Sequence, residues 1–301
     1  METILMGSLP RGIFPPLVTP FRGEVFDGEA YAANIESLNG TRLAGYVVLG
    51  SNGESVYLDE DEAVCVIETA AAARAPEKAL IVGTGRESTR ATIEATGRAA
   101  AAGADAALVV PPSYYRGAMT PAVLEAHYLA VAEAAEIPIL LYHVPKFSPI
   151  VFQAEMVRRL SSHPGIIGMK DTSQDLVFLT SCLADCPQDF LVYVGTANIL
   201  LAGLTLGAAG GVLALANIAP NECVELSDLF AKGDTTTARA LQQKLLPVNQ
   251  ALTAGYGIPG LKYAHDLLGL AGGDTRRPLL PLGEEDETAL KEILRKGLGR
   301  P

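Results

Sequence analysis

The sequence contains little cysteine, little histidine and no long uninterrupted apolar run. Its four cysteines include no C-x-x-C pair, and Cys182 and Cys186 lie four residues apart in a helical pattern, which favours buried thiols over a zinc site. Because the chain also has only four histidines, we predict no metal centre. This cysteine usage indicates a reducing compartment, and we expect the cytoplasm.

Long apolar segments and an excess of basic residues are both missing. No stretch of about 18 consecutive apolar residues occurs, so we predict no contact with a membrane. The first residues, METILMGSLPRGIF, lack a basic leader followed by an apolar region and a cleavage site, so we expect no secretory signal. The net charge is -11, which argues against a nucleic-acid partner because phosphate contacts need clustered Lys and Arg.

Apolar residues are plentiful, at 49% of the chain, and eight short runs rich in Val, Ile and Leu recur through the first 216 residues. Each run is continuous rather than alternating, as in strands that are covered on both faces. Ala- and Glu-rich stretches of helical character separate the runs, a pattern typical of a parallel sheet. The runs are GIFPPLVTPF, GYVVLG, ALIVGTG, AALVVPP, PILLYHV, GIIGMKD, FLVYVGT and GGVLALA.

Eight strand–helix units predict an α/β fold, the (β/α)8 TIM barrel. The alternative, an open doubly wound sheet, usually carries a Gly-rich phosphate turn after its first strand, where this chain has VTPFRGEVFD. We assign residues 1–216 to the barrel. Residues 217–301 have helical character with a Gly- and Pro-rich insert, and we predict a C-terminal helical extension packed on the barrel as part of one structural unit.

Lys170 is the first candidate functional residue, because barrel enzymes place reacting groups at the carboxyl ends of their strands. It ends the apolar run GIIGMK, where a lysine is unusual. A neutral lysine amine can attack a ketone to form an imine, which withdraws electrons from the adjacent carbon. The alternative is a lysine whose stem packs on apolar groups while its ammonium reaches solvent.

Two other strand ends offer partners for such an amine. Tyr142 ends the fifth run, one strand–helix unit before Lys170, and a phenol within reach can move protons. It could equally be a core tyrosine with a satisfied hydroxyl. The turn GSNGES follows the second run and precedes a predicted helix start, so its backbone N–H groups can bind a carboxylate. Ordinary turn and helix-cap chemistry is the alternative for this turn.

The combination of GSNGES, YHVP and GMKD, in this order and at these strand ends, resembles the dihydrodipicolinate synthase / N-acetylneuraminate lyase superfamily. The similarity runs over nearly the whole chain, from GIFPPLVTPF to about RRPLLPL. Within the superfamily, GADAALVVPPSYYRG, HPGIIGMKD, GGVLALAN and GIPGLK look most like 4-hydroxy-2-oxoglutarate aldolase. The resemblance implies a class I, Schiff-base-forming pyruvate aldolase that uses no metal and no organic cofactor.

The resemblance also implies catalytic roles for the matching residues. Lys170 would form the imine, and Tyr142 would act as the general acid and base. Ser51 would hydrogen-bond to Tyr142. Tyr114, or its neighbour Tyr115, would reach in from an adjacent subunit and complete the proton relay.

Substrate binding is implied for a second set of positions. Ser51 and Asn52 would hold the carboxylate of the 2-oxo acid through a hydroxyl and backbone N–H groups. Thr172 would retain a hydroxyl where the aldolase typically has serine.

Three positions depart from the superfamily pattern. The synthases carry an arginine five residues after the tyrosine of strand five, where it grips the carboxylate of the aldehyde partner, and this chain has Phe147 there. A phenyl ring makes no bidentate contact with a carboxylate, which argues against the synthase reaction. His143 and Lys146 replace small residues of the aldolase, and we count both as candidates for substrate binding. The alternative for Lys146 is a solvated surface lysine. Arg116 is, with Lys146, a candidate for the missing cation.

We therefore expect cleavage of 4-hydroxy-2-oxoglutarate to pyruvate and glyoxylate. The enzymatic alternatives are a synthase-like condensation and cleavage of a 2-keto-3-deoxy sugar acid, because both would share the Tyr–Lys pair. A metal-dependent aldolase needs several ligands at strand ends, where His143 is the only histidine. A further alternative is a non-catalytic sensor that binds pyruvate. The presence of Lys170, Tyr142 and Ser51 argues against it, because a protein that only binds needs no nucleophile. The resemblance further implies a homotetramer built from two tight dimers.

Overall fold

Eight short parallel strands form the centre of the computed structural model, which describes residues 9–300. The first eight residues, on which much of the expectation about a secretory leader rests, lie outside the described part. The strands are β1 Gly12–Phe14, β2 Gly45–Val48, β3 Ala79–Gly83, β4 Ala106–Val109, β5 Ile139–His143, β6 Ile166–Asp171, β7 Leu191–Val194 and β8 Gly210–Val212. Each coincides with one of the eight apolar runs.

The strands close into a barrel. Their order is β1-β8-β7-β6-β5-β4-β3-β2, with every pair parallel. Between β1 and β2 the backbone continues the ladder: the N–H of Ala44 donates to Ile13 O at 2.9 Å and that of Val47 to Pro15 O at 3.0 Å. The predicted (β/α)8 barrel is confirmed.

Helices surround the barrel, and side-chain caps start most of the longer ones. Asp27, Ser88, Thr120 and Asp175 each accept a hydrogen bond from a backbone N–H of the first turn, which satisfies a donor that the helix leaves free. The helices are α1 Gly28–Asn39, α2 Glu60–Ala73, α3 Thr89–Ala101, α4 Pro121–Ala134, α5 Ala154–Leu160, α6 Leu176–Asp185, α7 Leu200–Leu206, α8 Pro220–Ala231, α9 Thr235–Gln250, α10 Gly257–Leu267 and α11 Glu284–Leu298. None of the described helices is long and apolar enough to cross a membrane.

Helix α8 follows β8 and packs beside α7 and β1, so it completes the ring of eight helices. The strand–helix repeat therefore extends to residue 231 rather than to 216. Helices α9, α10 and α11 lie outside the repeat and pack on one another. Leu245, Leu261 and Leu290 from these three helices belong to the same buried cluster as the outer faces of the strands, so barrel and extension share one core.

The strands bury two separate sets of side chains, because successive residues of a strand point to opposite faces. In β5, Leu140 and Tyr142 belong to the cluster inside the barrel, while Ile139 and Leu141 belong to the cluster between strands and helices. Within β5, Leu140 and Tyr142 therefore face the barrel interior.

A buried ion pair joins the extension to the turn after β2. The Nζ of Lys262, in α10, lies 2.5 Å from Oε1 of Glu54, and both side chains are almost fully buried. Lys262 also donates to Asp274 O at 2.6 Å and lies 4.6 Å from the ring centroid of Phe21. Burial lowers the pKa of Lys262 even though Glu54 favours its charged form. The N–H of Arg276 donates to the other oxygen of Glu54 at 2.9 Å.

We predict that Lys262→Met lowers the free energy of unfolding by about 3–5 kcal/mol, because it leaves the Glu54 carboxylate buried without its partner. The double variant Lys262→Met/Glu54→Gln should lose clearly less than the sum of the two single losses. Urea unfolding of the four proteins measures this. Additive losses would show that the two groups do not act as a pair.

Candidate active site

Strands β5 and β6 place a phenol beside an amine. Tyr142 and Lys170 are paired in the register of the two strands, and both side chains point into the barrel. The Nζ of Lys170 donates to Oη of Tyr142 at 3.3 Å and lies 4.3 Å from the centroid of its ring. Lys170 is 4% exposed and Tyr142 is 6% exposed. The alternative in which Lys170 extends its ammonium into solvent therefore does not hold.

The surroundings of the Lys170 amine differ from those of a typical buried lysine. Within residues 9–300, no carboxylate oxygen lies within 4.0 Å of its Nζ. Lys262, which is also deeply buried, is by contrast ion-paired with Glu54. The amine of Lys170 can therefore meet a carbonyl carbon without first breaking an ion pair.

The turn after β2 brings a hydroxyl to the same phenol. Ser51 Oγ lies 3.4 Å from Tyr142 Oη, which is longer than a strong O–H···O hydrogen bond. The turn itself is a short 3-10 helix, Ser51–Gly53, whose first N–H groups have no partner within the helix. We expected the turn to lie directly at the start of the next helix. Helix α2 instead starts at Glu60, behind an Asp59 cap, so the N–H groups at Ser51 and Asn52 belong to the separate 3-10 turn.

A cavity of about 310 Å³ opens above these groups at the carboxyl ends of the strands. Six of the nine predicted site residues line it: Ser51, Asn52, Tyr142, Lys146, Lys170 and Thr172. Among residues 9–300, two lysines and no Asp or Glu line it, although the chain as a whole carries a net charge of -11. The cavity is therefore suited to an anionic ligand.

The prediction that His143 binds substrate is wrong. His143 follows Tyr142 in β5 and so points away from the barrel interior, where it is 1% exposed and stacks on Phe152. Its Nδ1 pairs with Oδ1 of Asp171 at 2.8 Å, and its Nε2 accepts the N–H of Phe152 at 3.2 Å. Both ring nitrogens are thus used inside the protein. The strict alternation of a strand could have predicted this outward direction from the sequence.

Tyr114 and Arg116 lie outside the cavity lining. Both are exposed on the loop after β4, Tyr114 at 80%, with its ring packed edge-on against Tyr115. The carboxylate of Glu87 holds this loop through the N–H of Tyr114 at 2.9 Å. Arg116 begins a short 3-10 helix and does not reach the cavity of its own chain. The role of Tyr114 in a neighbouring subunit stays a prediction.

Thr172 and Lys146 line the cavity but are already engaged with the backbone. The hydroxyl of Thr172 donates to His143 O at 2.8 Å, which fixes the chain just after Lys170. Lys146 Nζ donates to Thr253 O at 2.7 Å, in a π-helical turn that follows α9. An ammonium carries three donors, so Lys146 keeps two for a ligand.

Part of the cavity wall was not predicted. Thr196 and Asn198 follow β7, Gln174 lies four residues after Lys170, and the extension contributes a stretch around Thr253 and Gly257. The polar residues after β7 could have been found by the same strand-end rule that identified the others. The residues of the extension carry no such signal, because only the packing of α9 and α10 brings them over the barrel mouth.

A second, larger cavity of about 540 Å³ lies at the opposite end of the barrel, near Pro138 and Gly165, which precede β5 and β6. It contains none of the predicted site residues and is lined mainly by Ala, Pro and Ile. The reacting groups of barrel enzymes lie at the other end, so we assign the site to the smaller cavity. Within residues 9–300, no group of three or more His, Cys, Asp or Glu is arranged to hold a metal ion.

Known proteins resemble this chain along nearly its full length. A sequence model of the Dihydrodipicolinate synthetase family matches residues 9–297. A 4-hydroxy-tetrahydrodipicolinate synthase from Methanothrix thermoacetophila is 35% identical over 288 residues, covering 95% of this chain and 96% of the relative. These matches are to synthases, so the expected closeness to 4-hydroxy-2-oxoglutarate aldolase stays a prediction.

Solved structures agree with the family match. A dihydrodipicolinate synthase from Bacillus anthracis superposes with a TM-score of 0.91 at 30% identity, covering 95% of this chain and 97% of that one. A monomeric dihydrodipicolinate synthase variant gives a TM-score of 0.93 at 26% identity, covering 99% and 100%. The amine–phenol pair in the barrel mouth and the full-length similarity together lead to one conclusion: the chain belongs to the dihydrodipicolinate synthetase family.

Proposed function

We propose that Lys170 forms an imine with pyruvate and that the resulting enamine is joined to an aldehyde that carries a carboxylate. The observation that supports this most directly is the buried Lys170 amine, which lies 3.3 Å from the Tyr142 phenol and, among residues 9–300, has no carboxylate oxygen within 4.0 Å. A lysine held in this way is a nucleophile for a 2-oxo group. The absence of acidic residues from the cavity lining supports an anionic substrate.

The chemistry follows from the two groups. Lys170 attacks C2 of pyruvate, and loss of water gives an iminium ion that withdraws electrons from C3. Tyr142 and Ser51 move the protons, so that C3 loses one and becomes a nucleophilic enamine. C3 then attacks the aldehyde carbon, the new alkoxide takes a proton from Tyr142, and hydrolysis of the imine releases the product. The reverse sequence cleaves a 4-hydroxy-2-oxo acid.

The names of the relatives favour a synthase-like condensation over the expected cleavage. Disconnecting 4-hydroxy-tetrahydrodipicolinate beside its hydroxyl carbon and at its C=N bond gives pyruvate and 2-amino-4-oxobutanoate. That aldehyde carries a carboxylate at its far end. We infer that Lys146 contacts this carboxylate, because it is the second cation in the cavity lining.

One residue favours a second candidate, the cleavage of 4-hydroxy-2-oxoglutarate to pyruvate and glyoxylate. Phe147, 56% exposed, stands where the synthases carry their carboxylate-binding arginine. Its ring lies 5.3 Å from Lys146 Nζ and offers no hydrogen bond to an acid. Glyoxylate also carries a carboxylate, so both candidates place an anion at the far end of the cavity. A 2-keto-3-deoxy sugar acid would place hydroxyl groups there.

The homotetramer and the cytoplasmic location stay predictions. The exposed Tyr114 and Tyr115 suit a contact with a second copy of the chain, as the resemblance implies. A monomeric dihydrodipicolinate synthase variant exists among similar structures, so the fold alone does not require assembly.

We predict that borohydride added with pyruvate fixes one adduct per chain on Lys170, because reduction converts the imine into a stable amine. Intact-protein mass spectrometry and peptide mapping measure it. Lys170→Ala should give no adduct, while Lys146→Ala should give the wild-type amount. An adduct in the Lys170→Ala protein would contradict the proposal by placing the imine on another amine. No adduct in the wild type would contradict it and favour a non-covalent pyruvate sensor.

We predict that Tyr142→Phe lowers kcat by about 10²–10⁴, the usual contribution of one general acid–base group. Adduct formation with pyruvate should persist, though more slowly, because the Lys170 amine remains in place. Steady-state kinetics and borohydride trapping of the same preparation separate the two effects. If Tyr142→Phe turns over at the wild-type rate, Tyr142 has no part in proton transfer.

We predict that Lys146→Ala raises the KM of a carboxylated aldehyde by about tenfold, the expected cost of one charge-assisted hydrogen bond. The KM of pyruvate should stay near its wild-type value. Condensation assays with 2-amino-4-oxobutanoate, glyoxylate and glyceraldehyde give the comparison and also decide between the candidate reactions. A preference for glyceraldehyde would support the sugar-acid alternative instead.

A further inference from the structure

Gln174 combines an unfavourable backbone conformation with a place in the cavity wall. Its φ is +62°, in the left-handed region that glycine adopts at least cost. Only two other non-glycine residues among 9–300 share this feature, Leu49 and Glu54, and both belong to the turn after β2 that carries Ser51. A large polar side chain retained where glycine fits best suggests that the side chain has a function.

Hydrogen bonds from the extension orient this side chain. Asn249, fully buried in α9, donates from Nδ2 to Oδ1 of Asn198 at 2.8 Å and to Oγ1 of Thr196 at 2.9 Å. Because its Oδ1 is then an acceptor, Asn198 has its Nδ2 free to donate, and it donates to Oε1 of Gln174 at 3.0 Å. Among residues 9–300 the Nε2 of Gln174 makes no hydrogen bond with another side chain or carbonyl. The chain of amides therefore ends in a donor at the rim of the cavity.

The neighbouring groups also present donors. Oγ1 of Thr196 accepts hydrogen bonds from Asn249 and from the N–H of Asn198, which leaves its own O–H to donate. Lys146, also in the lining, has two ammonium donors left. Within the described part of the chain, no Asp or Glu lines the cavity. Such a set matches a carboxylate, which only accepts hydrogen bonds, better than a chain of hydroxyls, which must also donate.

We propose that Gln174 is a specificity-determining residue that donates from Nε2 to the carboxylate of the aldehyde partner. The proposal rests on the pyruvate–aldehyde reaction above and adds the group that selects an acidic partner over a neutral one. Asn198 and Asn249 act through Gln174 as positioning residues. The unfavourable backbone at residue 174 is the cost of presenting this donor.

The test compares Gln174→Gly, Gln174→Ala and the wild-type enzyme. Glycine removes the donor and relieves the backbone, whereas alanine removes the donor and keeps the left-handed conformation unfavourable. The melting temperature of Gln174→Gly should therefore exceed that of Gln174→Ala and should be at least as high as that of the wild type. Both variants should lose about tenfold in kcat/KM for whichever of 2-amino-4-oxobutanoate or glyoxylate the wild type prefers, and much less for glycolaldehyde, which has no carboxylate.

Borohydride trapping with pyruvate alone separates failure of this inference from failure of the proposed function. Variants that trap pyruvate like the wild type but lose the preference for carboxylated aldehydes support the role of Gln174. Variants that trap pyruvate and keep the wild-type preference overturn it and leave the proposed function standing. A wild-type protein that traps no pyruvate overturns both. Equal losses of kcat/KM for carboxylated and neutral aldehydes would show that Gln174 has a merely structural role and would also overturn the inference.

Discussion

The alternation of side chains along a closed ring of strands determines most of what this protein can do. Tyr142 and Lys170 are paired in β5 and β6 and face the interior, while the next residues, His143 and Asp171, are paired on the outside. The inner pair is the proposed reactive centre, and the outer pair ties the two strands together with a buried hydrogen bond. A slip of one residue in β6 would turn Asp171 inward and Lys170 outward, and would so remove the amine from the cavity.

The C-terminal extension is part of the site as well as part of the core. Through Lys262 it holds Glu54, three residues after Ser51, and through Asn249 it orients Asn198, which also lines the cavity. The π-helical turn after α9 adds the carbonyl that binds Lys146. Such turns are frequent at functional sites, because the altered backbone pairing exposes polar groups. The extension therefore links the stability of the fold to the shape of the cavity.

Charge is distributed unevenly in this protein. The chain is acidic as a whole, yet the part of it that the structure describes lines the cavity with two lysines and no carboxylate. The two lysines have different surroundings: Lys170 is buried beside a phenol, whereas Lys146 is exposed and bound to a backbone carbonyl. A buried amine suits covalent chemistry and an exposed ammonium suits recognition of an anion, so the two lysines fit the proposed pair of substrates, with pyruvate at Lys170 and a carboxylated aldehyde at Lys146.

The sequence by itself determined the eight strands, the barrel and the positions of Lys170, Tyr142 and Ser51, because apolar runs and strand ends are local patterns. The alternation of side chains along β5 also predicts that His143 points outward, although its residue type alone favoured a role in substrate binding. Only the tertiary structure decided that Gln174, Asn198 and Thr253 share a wall with Lys170. Their proximity depends on how α9 and the loops after β6 and β7 pack, and contacts between residues distant in sequence leave no periodic signal in the chain.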